Sequence, residues 1–130
     1  MLRFVFDCET NGLLHELDTV HSLVLRDIDS GDVTSCSDHD GYESITNGLY
    51  MLSKADVLVG HNVINFDCRA LKKVYKSFKL KKNCKIYDTL IVSRVLWPEL
   101  EPVDHQKFSH IPRKYIGKHS LGAWGERLNV

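Results

Sequence analysis

The chain has 130 residues, of which 43% are hydrophobic and 26% charged. That is enough to bury a core without cross-links, in one domain at most and of ordinary globular composition. Basic and acidic residues balance at 17 each, which excludes a basic DNA-coating protein and a disordered charged tail, but not an enzyme that meets nucleic acid in a local groove.

Leu2 to Phe6 is a short apolar run that stops abruptly in acid, and it predicts a buried strand. Residues 7–19 are polar around Gly12 and predict a loop. Ser22 to Ile28 and Val33 to Cys36 are aliphatic runs on either side of Asp29-Ser30-Gly31-Asp32, which is turn chemistry. The first three strands therefore form an antiparallel meander. Ile45, Leu49 and Leu52 recur at helical spacing and predict a helix over about residues 42–53. Val57 to Val59, closed by Gly60, is a fourth strand. Phe66, Ala70, Leu71 and Val74 share one face of a second helix. Lys85 to Tyr87 is a brief fifth strand, and Asp88 precedes Thr89 to Leu96 as a plausible N-cap.

Residues 98–118 hold Pro98, Pro102 and Pro112 and predict a long surface loop. Ser120 caps a last helix with Leu121, Trp124 and Leu128 on one face, and no stop signal follows it. Strands one, four and five become mutually parallel through helical crossovers, so the fold class is α/β: a mixed sheet with flanking helices. The four cysteines, Cys8, Cys36, Cys68 and Cys84, lack zinc-knuckle or redox spacing, and Cys36 with His39 is a two-ligand fragment. They read as reduced, buried thiols of a cytosolic protein. No stretch approaches about 18 apolar residues, and the N-terminus lacks the features of a signal peptide. Lys72, Lys73, Lys76, Lys79, Lys81 and Lys82 form a basic run that suits a solvated face, or strand guidance for DNA.

Chemistry concentrates at two places. In Phe6-Asp7-Cys8-Glu9-Thr10 the two carboxylates lie two apart on a strand, so both project to one side at its carboxyl end. Neighbouring carboxylates raise each other's pKa, and a divalent cation relieves the repulsion; hard oxygen donors suit Mg²⁺ or Mn²⁺ better than zinc. Alone, so short a pattern equally suits two solvated acids. In Gly60-His61-Asn62-Val63-Ile64-Asn65-Phe66-Asp67 a buried strand leads through a polar turn to an acid that opens a helix. That acid is a third cation ligand or simply a complement to the helix dipole. His61 is a candidate general base or a residue that shapes the turn.

Taken together, the two segments resemble the motifs of the DEDD superfamily of 3′–5′ exonucleases. Asp7-Cys8-Glu9-Thr10 with Leu13 is similar to the first motif, and Asn62 with Phe66 and Asp67 to the second. Tyr87-Asp88-Thr89-Leu90 and His119-Ser120-Leu121 to Trp124-Gly125 are similar to later segments of the proofreading domains of phage family A DNA polymerases. The resemblance implies an RNase H-like fold for residues 1–130 and hydrolysis of single-stranded DNA 3′ ends. It implies two Mg²⁺ or Mn²⁺ ions held by Asp7, Glu9 and Asp67 as the metal and catalytic set, with Thr10, Leu13, Asn62 and Phe66 against the substrate. It also implies the cytoplasm of a bacterial host as the setting.

The family's third motif is a Tyr or His followed four residues later by Asp. No Asp in this sequence has either residue four positions before it. The set is therefore three carboxylates of four, and the chain is expected to be C-terminally incomplete and impaired, with a separate polymerase polypeptide as the partner that would complete it. The other readings left open are an inactive nucleic-acid-binding or polymerase-associated module, and an RNA 3′ exonuclease.

Overall fold

A computed structural model describes residues 1–130, which divide into two compact units, Met1–Asp88 and Thr89–Val130. The first unit runs β1 (Arg3–Thr10), β2 (Val20–Asp27), β3 (Val33–Ser37), α1 (Ile45–Lys54), β4 (Val57–Gly60), α2 (Asp67–Val74) and β5 (Lys85–Asp88). Its sheet has the order β3-β2-β1-β4-β5. β1 pairs antiparallel with β2, and β2 with β3, whereas β1–β4 and β4–β5 are parallel. The meander and the parallel strands are as expected from the sequence, with boundaries moved by a few residues.

Period-two alternation in β1 sends Phe4, Phe6 and Cys8 into the core and leaves Val5, Asp7 and Glu9 exposed. α1 packs on β2 and β3, and α2 on β1 and β2. The buried cluster joins the Phe4 side of β1 to Leu23, Leu25, Leu52, Leu58, Val63 and Leu71. Ser44 caps α1 through the amide of Asn47 at 3.1 Å, as such a residue should at a helix start. Gly48 lets α1 lie close on the sheet, because a Cβ there would stand 2.8 Å from both Cys36 Sγ and a Leu23 methyl. The basic run is partly structural: Lys81 pairs with Asp56, and Lys73 Nζ donates to the carbonyls of Leu14 at 2.9 Å and His15 at 3.2 Å. Cys8, Cys36 and Cys68 are buried free thiols and Cys84 is half-buried. No helix is long and apolar enough to cross a membrane.

The second unit contains α3 (Thr89–Leu96), α4 (Leu100–Lys107), a 3₁₀ turn at Arg113–Tyr115 and α5 (Leu121–Leu128). The proline-rich stretch read as one long loop thus contains a helix. Pro102 is the third residue of α4, within the first turn, where a missing amide costs no helical hydrogen bond. α5 begins at the Ser120 cap, as the sequence predicts. The inner face of α5 is not the one that carries its leucines: Leu121 and Leu128 are each 66% exposed, while Ala123 and Arg127 are buried. The reason is electrostatic. Arg127 Nε donates to Asp104 Oδ1 and its Nη2 to Asp104 Oδ2, each at 2.7 Å, and Gly117 N adds a bond to Asp104 at 2.8 Å. A fully paired guanidinium can occupy an interior position that hydrophobic pattern alone assigns to leucine. Contrary to the sequence expectation, α5 has a stop signal: Asn129 adopts the left-handed conformation (φ 58°) and its amide closes on the Glu126 and Gly125 carbonyls.

Candidate functional site

The site is built at the carboxyl end of β1. Asp7 and Glu9 point to the exposed side of the strand, and the β1–β2 register slips between Glu9 and Thr10. Such irregularities turn a strand end away from its partner. The adjacent parallel strand β4 ends at Gly60, where a Cβ would lie 2.9 Å from the Phe6 carbonyl and collide outright with a Val63 methyl. Only glycine permits this approach of the two strand ends.

From Gly60 the chain turns sharply. Asn62 is left-handed, with φ 66°, a conformation that asparagine tolerates better than most residues. Its carbonyl accepts the Phe66 amide at 3.0 Å, and the Val63 carbonyl accepts Cys68 N–H at 2.9 Å. This winds the chain into α2 and delivers Asp67, which is 3% exposed. Asp67 Oδ1 accepts the backbone N–H of Cys8 at 3.0 Å, a contact spanning 59 positions. The third acid is therefore tied to the peptide between the first two.

The electrostatics agree with this proximity. Although the residue as a whole is exposed, the Asp7 carboxylate is held above the ordinary range, first by partial desolvation among its neighbours, then by the charges of Asp67 and Glu9; the Cys8 backbone and His61 act in the opposite direction. Burial, followed by the Asp67 charge, raises both neighbouring thiols, Cys68 to about 11 and Cys8 further. At neutral pH these sulfurs stay protonated and are poor nucleophiles.

The donor chemistry, three carboxylates of which one is protonated more readily through desolvation and the charges of the others, fits a hard divalent cation. No group of three His, Cys, Asp or Glu side chains closes into a ready-made metal cluster, however. Around the acids, Thr10 Oγ1 donates to the Gly12 carbonyl at 2.9 Å. Leu13 is 63% exposed and is not a core residue. Asn62 and Phe66 are half-buried at the two ends of the turn. Sequence reasoning missed two supports. Asp88, which directly precedes α3 as a cap should, is also the buried last residue of β5, and its carboxylate accepts the amides of Asn62 and Ile64. Lys73, read as part of a charge run, anchors the loop that carries Leu13. No local signal marks either residue, because both partners lie far away in the chain.

This arrangement is an RNase H-like fold, shared with exonuclease I. The chain superposes on product-bound exonuclease I with a TM-score of 0.68 over 99% of its own length and 38% of that chain, at 14% identity. It superposes on the zinc-bound E. coli exonuclease I–single-stranded DNA complex with a TM-score of 0.65, over 96% of its own length and 34% of that chain, also at 14% identity. In sequence it is homologous to DNA-directed DNA polymerases of phages: 30% identical over 138 residues to that of Escherichia phage T7 and 31% to that of Enterobacteria phage T3. Each match takes in 95% of this chain but 18% of the polymerase, so the chain spans about a fifth of those relatives' length. No family model matches the sequence.

Proposed function

We propose that this chain is a 3′–5′ exonuclease module of the proofreading kind, acting on single-stranded DNA 3′ ends with two Mg²⁺ or Mn²⁺ ions. The observation that carries the reading is the bond from Cys8 N–H to Asp67 Oδ1, which brings a third carboxylate to the acidic pair of β1. Asp7, Glu9 and Asp67 would hold the ions. Bound divalent cations supply a hydroxide-generating centre and stabilise charge on the leaving 3′ oxygen. The chain's own part is to fix the carboxylates, and Asp67 is immobilised by its burial and its backbone bond. On this reading Leu13, which is exposed, would meet a terminal base, and Thr10, Asn62 and Phe66 would contact the rest of the substrate. Single-stranded DNA as the substrate class accords with the oligonucleotide complexes of exonuclease I. A polymerase context and a bacterial host cytoplasm accord with the phage relatives.

These 130 residues alone supply three acids and no Tyr or His four positions before an Asp. We expect turnover reduced by ~10²–10⁴-fold relative to a set that includes an oriented acid–base partner. A second reading, a nucleic-acid-binding module without catalysis, is favoured by the absence of a closed three-ligand cluster. Mn²⁺ titration and release of mononucleotides from labelled single-stranded DNA separate the two. Metal-dependent release that Asp7→Ala and Asp67→Ala both abolish supports the exonuclease. DNA binding with no Mn²⁺ uptake supports the module, and an RNA strand run in parallel assigns the sugar.

A further inference from the structure

β5 ends in a carboxylate with no part in the chemistry proposed above. Asp88 is 3% exposed and pairs in register with Gly60, the last residue of β4. Its Oδ1 accepts the Asn62 amide at 2.9 Å and its Oδ2 the Ile64 amide at 3.0 Å. The two bonds clasp the turn on both sides of Val63, at the point where Asn62 takes its left-handed conformation. The same turn passes its hydrogen bonds on to Phe66 and Cys68, the residues flanking Asp67.

We propose that Asp88 is a positioning residue for the metal-binding carboxylates. It acts through residues 61–66 to place Asp67 against the Cys8 amide, and it touches neither cation nor substrate. The inference rests on the exonuclease reading. A carboxylate suits the task because two amide donors need two acceptors. Asparagine has the same shape but one acceptor, and its NH₂ would face an N–H, leaving a buried donor unsatisfied. Second-sphere groups of this kind typically change metal affinity or activity by ~10–100-fold.

The test uses the full chain and Mn²⁺ as the probe. Asp88→Asn is expected to fold, to exchange the Asn62 and Ile64 amide protons faster, and to lose ~10-fold or more in Mn²⁺ affinity or in kcat, with KM for a single-stranded oligonucleotide little changed. Ile45→Val, a core change in α1 that lowers stability to a similar degree, should leave Mn²⁺ affinity as in wild type; this separates positioning from general loosening. Wild-type Mn²⁺ affinity and kcat in Asp88→Asn would overturn the proposal. If that variant does not fold, Asp88→Glu keeps both acceptors but moves them by one methylene, and the same outcome in it overturns the proposal equally. A wild-type chain that neither binds Mn²⁺ nor releases nucleotides removes the exonuclease reading, and this role with it. That result differs from a failure confined to the Asp88 variants.

Discussion

Gly60 has almost no freedom to change, because the Phe6 carbonyl and the Val63 side chain already occupy the space a Cβ would take. Gly60→Ala should cost about 1–3 kcal/mol of stability, read from urea unfolding. Adding Val63→Ala should recover part of the loss but not all, since the backbone carbonyl cannot move aside. Asp7 poses the opposite case, a residue kept at some expense to stability. Burial and its acidic neighbours raise its pKa in the folded state, so between the ordinary and the raised value the folded chain binds more protons than the unfolded one. Stability from this group therefore falls as pH rises through that window. In chelator at neutral pH, Asp7→Asn should melt above wild type; a lower Tm would contradict the crowding of acids described here.

At the scale of elements, α4 and α5 are joined by the Asp104–Arg127 pair, whose side chains are both fully buried. Asp104→Ala leaves a buried guanidinium without its partner and should cost about 3–5 kcal/mol, measured by chemical denaturation. The hydrogen bonds of Arg127 are the first cause holding the Asp104 carboxyl below its usual range, and burial opposes them. The stabilisation is thus complete above the unfolded-state value of about 4 and disappears as pH falls through the lower folded value. Asp104→Asn should therefore show a flatter dependence of Tm on pH below about 4 than wild type.

For the whole molecule, zero net charge offers no general attraction to a polyanion. Under the exonuclease proposal, binding to a nucleic-acid end would come from the local site and its cations. Saturating Mn²⁺ should accordingly raise the Tm of the wild-type chain, by an amount equivalent to about 2.7 kcal/mol at a hundredfold excess over Kd. Asp7→Asn should respond much less. Equal shifts in the two proteins would place the cation somewhere other than the β1 acids.

Local pattern was enough for most of the elements and for half of the site. Alternation along Arg3–Thr10 already puts Asp7 and Glu9 on one side, and the Asp29–Asp32 turn chemistry already makes β2 and β3 antiparallel, because both effects act between residues a few positions apart. The motif spacing pointed to Asp67 as the third acid. Its bond to the Cys8 amide, the Asp88 clasp on the turn before it and the choice of Arg127 over leucine for the inner face of α5 were settled in three dimensions. Each depends on a donor and an acceptor separated by 23 to 59 positions, and hydrogen bonds over such separations leave no periodicity in a sequence.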